Sequence, residues 1–124
     1  MEEVPTADVV ITNPTHFAVA LRYDTAGDGA PIVIAKGADN IAARIRAIAR
    51  DNDVALFEAP PLARALFWST ELNHSIPAGL YVSVARVLAY IYQLRAATGA
   101  YYPKPPPAPT DLPVPSEFLK EEQQ

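Results

Sequence analysis

Seven of the thirteen prolines in this 124-residue chain lie between Pro103 and Pro115. Proline has no N–H and a fixed φ, so this stretch can be neither helix interior nor central strand. A folded core has to come from what precedes it. The composition therefore divides the chain into a domain at residues 1–98 and a flexible proline-rich tail at residues 99–124, polyproline-like and ending in polar residues. The tail has two readings. It is either disordered without a site, or a short strap that docks through Leu112, Val114, Phe118 and Leu119, its apolar handles.

Half of the residues are hydrophobic, enough for one modest core. Residues 8–12 are rich in β-branched side chains and predict a buried strand, residues 17–23 a second, 32–35 a third and 54–57 a fourth. A turn around Gly27, Asp28, Gly29 and Pro31 precedes the third strand. Asp39 is the predicted cap of a helix reaching about Asp51, with Ile41, Ile45, Ile48, Ala42 and Ala49 as its buried stripe. Pro60 and Pro61 suit a first helical turn and predict a short helix with Leu62, Ala65, Leu66 and Trp68 inward. After Pro77 a longer helix reaches about Ala97, with Leu80, Val84, Val87, Leu88, Ile91 and Leu94 on one face. The expected class is α/β: a small, roughly four-stranded mixed sheet surrounded by helices.

Ten Lys and Arg against fourteen Asp and Glu give a net charge of −4. Nothing supplies the positive excess that phosphate contacts need, which argues against a nucleic-acid binder. The chain has no cysteine, so disulfides, thiolate zinc sites and a Cys nucleophile are excluded. No apolar run approaches the ~20 residues of a membrane span and no signal peptide pattern opens the chain, so a soluble piece is expected.

Between the first two strands lies Asn13-Pro14-Thr15-His16. Asn and Pro are turn formers, so composition alone reads a plain turn. The chemistry of an Asn–Pro bond adds a second reading. Asparagine commonly closes a succinimide when the next residue's amide nitrogen attacks its side chain, but Pro14 has no N–H. The route left is attack of the Asn13 side-chain nitrogen on its own backbone carbonyl, expelling the Pro14 nitrogen. Such a step needs a turn that holds nucleophile and carbonyl together, a base for the amide proton and an acid for the leaving nitrogen. Histidine is the side chain suited to proton transfer near neutrality, and His16 is the one placed beside this bond. Thr15 can shape the turn or donate to the developing oxyanion.

Residues 7–24, running from Ala-Asp-Val-Val-Ile-Thr through Asn13-Pro14-Thr15-His16 to Phe-Ala-Val-Ala-Leu-Arg-Tyr-Asp, closely resemble the cytoplasmic domain of the FlhB/YscU family. These are the export-switch proteins of flagella and of type III secretion injectisomes. Residues 35–39, 60–66, 76–81 and 87–92 resemble later blocks of the family, so the likeness covers about residues 4–94. Its wording is nearer the flagellar branch. Phe17 and Phe67 stand where tyrosine is common.

The resemblance implies self-cleavage between Asn13 and Pro14, with Asn13 supplying nucleophile and carbonyl, Pro14 leaving, and Thr15 and His16 shaping or protonating the turn. This is a single-turnover autoproteolysis, not a turnover enzyme. The two pieces would stay together and switch export from rod and hook substrates to filament substrates. No metal or cofactor is implied. Other export components, the hook-length control protein and export substrates are the implied partners, with no nucleic acid. The membrane would be met only through an N-terminal membrane-spanning part that this chain lacks, at the cytoplasmic face of the inner membrane. An injectisome homologue, or a non-cleaving docking module for cargo, are the alternatives.

Other residues carry weaker signals. Pro60, Pro61, Leu62, Arg64 and Trp68 are the preferred partner-binding surface, one helix face to the core and another to solvent. Arg44, Arg46, Arg50 and Arg64 read as a solvated face, with a docking surface for export substrates or the hook-length control protein as the alternative that the resemblance implies. His74 reads as a loop residue, and with His16 it lacks the spacing of a standard metal cluster. Ser69, Ser75 and Ser83 lie in no Gly-x-Ser-x-Gly elbow.

Overall fold

Four strands and three α-helices form in the order expected. The computed structural model describes residues 1–23, 29–97 and 105–119. A 3₁₀ turn at Val4–Thr6 leads into β1 (Val9–Asn13), β2 (Phe17–Tyr23), β3 (Pro31–Ala38), α1 (Asp39–Asp51), β4 (Ala55–Glu58), α2 (Pro60–Ser69), a 3₁₀ turn at Ala78–Leu80 and α3 (Tyr81–Ala97). The expected turn residues Gly27 and Asp28 lie outside the described residues.

The sheet is mixed, in the order β3-β2-β1-β4. β2 runs antiparallel to both β1 and β3, while β4 runs parallel to β1. The reason is connectivity. A tight hairpin reverses the chain between β1 and β2, whereas the crossover through α1 returns β4 in the direction of β1. β1 therefore has a partner on each side.

Alternation along the strands splits the core in two. Val10, Ala18, Ala20, Ile34 and Ala35 meet Ala42, Ile45 and Ala49 of α1. Val9, Ile11, Val19, Leu21 and Val33 meet α2 and α3 on the other face. A bulge lets Ala20 pair with Ala35 while Leu21 pairs with Val33. Ile34 and Ala35 then both serve the α1 face, and β3 recovers its parity beyond them.

Three local expectations are corrected. Ile41 is 44% exposed, because the buried positions of α1 are Ala42, Ile45 and Ala49, and Ile41 sits one residue off that stripe. Asp39 makes no side-chain cap; it enters α1 with a left-handed backbone, φ 50°. Trp68 is 47% exposed, since Leu62, Ala65 and Leu66 already occupy the inward face of α2. α3 buries Val84, Val87, Leu88 and Ile91 as read, with Leu94 partly buried at the margin.

Of the two readings of the tail, residues 105–119 take the strap form. Leu112, Val114 and Phe118 pack against the α2–α3 core. Apart from a 3₁₀ turn at Ser116–Phe118, the segment has no regular secondary structure. The expected flexibility of residues 99–104 and 120–124 concerns residues outside those described.

Candidate functional site

Asn13 is the last residue of β1 and pairs with Phe17, the first of β2. Three residues, Pro14, Thr15 and His16, close the hairpin and are exposed, while Asn13 is half-buried. The turn is secured by the His16 amide, which donates to the Asn13 carbonyl oxygen at 2.7 Å. That carbonyl belongs to the Asn13–Pro14 peptide bond. Its oxygen thus meets a fixed N–H dipole of the kind that stabilises a developing oxyanion.

Both ends of the hairpin are tied to neighbouring elements. The Ala59 amide, just ahead of α2, donates to the Thr12 carbonyl at 2.9 Å. The Asp39 amide, at the start of α1, donates to the His16 carbonyl at 2.9 Å. The left-handed backbone of Asp39 belongs to this junction; aspartate adopts that conformation more readily than most residues. The loop is thus held by backbone groups from α1 and from the approach to α2, a role no side-chain motif announces.

Next to the loop the first side chain of β2 is locked by aromatic contacts. The Phe17 ring lies 4.5 Å from that of Phe67 and 6.2 Å from that of Trp68, edge-on to the latter. Lys36 of β3 donates to the Phe67 carbonyl at 2.7 Å and lies 5.1 Å from its ring centre. An ammonium at the end of a helix meets its unpaired carbonyls and the aromatic face together. By strand parity Asn13 faces this side of the sheet, with Val9 and Ile11.

The four residues singled out as catalytic are together by sequence and share one turn. Thr15 and His16 are exposed, and neither side chain hydrogen-bonds to a described residue. The donor that meets the Asn13 carbonyl in this turn is the His16 backbone amide. No sequence signal could have found that group, because every non-proline residue has one.

Of the expected partner surface, Pro60, Pro61, Arg64 and Trp68 share the outer side of α2, and Leu62 does not. Leu62 is only 1% exposed and belongs to the core. Pro60 and Arg64 are half-buried, and Pro61 and Trp68 are exposed. An apolar hollow of about 330 Å³ lies between the end of β2, the start of β3 and α3, lined among others by Tyr23, Pro31, Tyr81, Leu88 and Tyr92. His74 is exposed, and its loop carbonyl accepts the Val33 amide at 3.1 Å, extending the edge of β3. Among the described residues no group of three or more His, Cys, Asp or Glu gathers as a metal site, and no helix is long and apolar enough to cross a membrane.

Comparison with known proteins agrees with this architecture. Residues 1–91 match the model of the FlhB HrpN YscU SpaS family. The flagellar biosynthetic protein FlhB of Salmonella typhimurium is 51% identical over 98% of this chain, which spans 32% of that protein. The chain thus covers about a third of the curated relatives it matches. The crystal structure of the cytoplasmic domain of FlhB from Shewanella putrefaciens superposes with a TM-score of 0.86 at 47% identity, covering 94% of this chain and 90% of that one. A mutated EscU C-terminal domain superposes with a TM-score of 0.68 at 28% identity, covering 71% and 88%. With most of its length matched by the family model and its fold shared by solved members, this chain belongs to the FlhB HrpN YscU SpaS family.

Proposed function

We propose that this chain is the cytoplasmic part of a longer inner-membrane protein. Its role there is to switch the substrate specificity of flagellar protein export after cleaving itself between Asn13 and Pro14. The carrying observation is the Asn13 carbonyl, followed by proline and held by the His16 amide at 2.7 Å in a turn braced from two sides. The flagellar branch is favoured over the injectisome alternative because the solved FlhB domain is 47% identical and the EscU domain 28%. Solved EscU domains also include variants at one asparagine and at the proline that follows it.

In the proposed step the Asn13 side-chain nitrogen attacks the Asn13 backbone carbonyl carbon, losing a proton to a base. The new C–N bond closes a succinimide, negative charge gathers on the carbonyl oxygen, and the His16 amide stabilises it. The bond to Pro14 breaks, and the Pro14 nitrogen takes a proton and leaves as a secondary amine. Water then opens the ring on the 1–13 piece. His16 stands two residues beyond the leaving Pro14 nitrogen and is exposed, so it can exchange protons with solvent. Thr15 completes the turn. No step calls for a metal or cofactor.

Partners of the switch are other export components, the hook-length control protein and export substrates. The apolar hollow beside α3 is better suited than α2 to take an apolar segment of such a partner, because it is concave and lined by aromatic and aliphatic side chains.

Denaturing intact-mass measurement on fresh protein tests the reading. Two pieces, residues 1–13 and 14–124, are expected, and Asn13→Ala is expected to give one mass with an unchanged fold. Cleavage that persists in Asn13→Ala overturns the cyclisation. A single mass for the unaltered chain after long incubation at neutral pH leaves the docking-module reading in its place.

A further inference from the structure

The segment 105–119 lies against the domain with a 3₁₀ turn at Ser116–Phe118 as its one regular element. Leu112 and Val114 alternate with Pro113 and Pro115, and Pro115 has φ −55° and ψ 146°, the polyproline II region. Prolines at these positions set the spacing, so that apolar side chains at 112, 114 and 118 reach the α2–α3 core.

The receiving surface is shaped for them. Gly79 leaves open the seat of Phe118: a Cβ there would stand 2.8 Å from the Phe118 ring. Ser83, on α3 and only 1% exposed, donates its hydroxyl to the Pro113 carbonyl. Arg86, one turn along, donates to the Asp111 carbonyl at 2.7 Å and pairs with the Asp111 carboxylate at 3.1 Å. A buried hydroxyl and a guanidinium thus read the backbone of an extended peptide at two successive stations.

The seating is also incomplete. The segment joins no strand ladder, and its contacts to the domain are side chains on side chains or side chains on backbone. A cleft of about 240 Å³, open to solvent, remains between Pro109, Thr110 and Leu112 of the segment and Phe57, Ala59, Pro61 and Leu62. Apolar anchors at set spacing, backbone read by side chains and a loosely filled groove are features of peptide recognition rather than of a fixed core.

We propose that the face formed by the start of α2, the Ala78–Leu80 turn and the first half of α3 is a peptide-recognition groove. It is specific for an extended, proline-spaced segment with apolar residues at positions i, i+2 and i+6, and residues 105–119 are its resident ligand, bound in cis and exchangeable. The inference is independent of the cleavage reading. While seated, the segment shields the groove beside Pro61 and Leu62, so its release exposes an apolar surface to an outside segment of like chemistry.

The test uses the full chain. Leu112→Asp, Val114→Asp and Phe118→Asp together free the segment without altering any groove residue. A fluorescent peptide of residues 105–119 is then titrated, with circular dichroism and melting as checks of the fold. The released chain is expected to stay folded and bind the peptide saturably, at least tenfold tighter than the unaltered chain, whose tethered copy competes at about millimolar effective concentration. Adding Gly79→Leu to the released chain is expected to weaken binding at least tenfold. A folded released chain that does not bind, or binds no better than the unaltered chain, overturns the proposal. So does loss of the cooperative melt on release, which would make the segment a fixed part of the core, and so does binding that ignores Gly79→Leu.

Discussion

The Asn13 carbonyl and the His16 amide meet at 2.7 Å without the help of any side chain. This separates two contributions of one residue. His16→Ala keeps the amide and removes the imidazole; replacing the 15–16 amide by an ester removes the N–H alone. Loss of one oxyanion donor costs on the order of 10²–10³ in rate. The ester is expected to slow cleavage by about that factor, and His16→Ala by less, both read as the fraction of cut chain against time. If His16→Ala is the slower, the imidazole rather than the amide carries the step.

A second residue-scale effect concerns Tyr92. Partial burial, and then the negative Asp8 beside it, push its hydroxyl above the ordinary tyrosine value. The folded chain therefore holds this proton more tightly than the unfolded chain. Stability is fully present below the unfolded pKa of about 10 and falls as pH rises through the folded value. Tyr92→Phe is expected to abolish that part of the alkaline loss, seen as melting curves of the two proteins that separate only above about pH 10.

At the scale of elements, β1 becomes a separate peptide if the Asn13–Pro14 bond is cut. Retention of residues 1–13 then rests on non-covalent contacts. β1 pairs with β2 over five positions and with β4 over four. Val4, Val9, Val10 and Ile11 are fully buried, each contributing about 1.5–3 kcal/mol. Outside the strand, Arg95 donates to the Asp8 carbonyl at 2.9 Å, and Arg22 reaches Thr6 at 3.1 Å and Glu3 at 3.5 Å. The exposed charge contacts add little by comparison. Size-exclusion chromatography of cut protein is expected to show both pieces in one peak. Ile11→Ala is expected to weaken their association by about 2–5 kcal/mol, releasing the short piece, because the central strand cannot collapse around the cavity. The β3–α1 junction offers a separate check. A Cβ on Gly37 would clash with the Ile41 Cγ2 and stand 3.3 Å from the Ile41 carbonyl carbon. Gly37→Ala is expected to destabilise the fold by about 1–3 kcal/mol in denaturant melts, since side chain and backbone must both shift.

For the whole molecule, cleavage changes the order of unfolding. An intact chain unfolds as one body, and its melting temperature does not depend on concentration. A cut chain unfolds with dissociation, so mass action makes its melting temperature rise with protein concentration. Asn13→Ala is expected to melt independently of concentration over a hundredfold range and the cut protein to shift upward, a comparison calorimetry can make. An equal, flat response in both would mean that the two pieces do not separate on unfolding, or that no cut occurs. If the hairpin is cut, the layering is expected to leave the fold standing. The hairpin lies at one end of the sheet, while α1 covers one face and α2 and α3 the other.

Alternating and helical spacings are local properties, so the four strands, the three helices and the inward residues of α3 could be read from the sequence alone. The Asn-Pro-Thr-His turn was legible for the same reason: all its parts lie within four residues, and the chemistry of an Asn–Pro bond depends on nothing further away. Trp68 and Ile41 were misjudged because an apolar side chain goes inward only where the inward face has room, and Leu66 and Ala42 had already taken it. The tail's two readings could not be decided from composition, since proline forbids regular structure but says nothing of what a Leu112 or a Phe118 finds to pack against. Sequence by itself determined the elements, the turn and its one special bond. Only the tertiary structure decided which distant backbone amides brace that turn from either side, which strand lies central, and where the proline segment rests, because each depends on groups far apart in the chain brought together by packing.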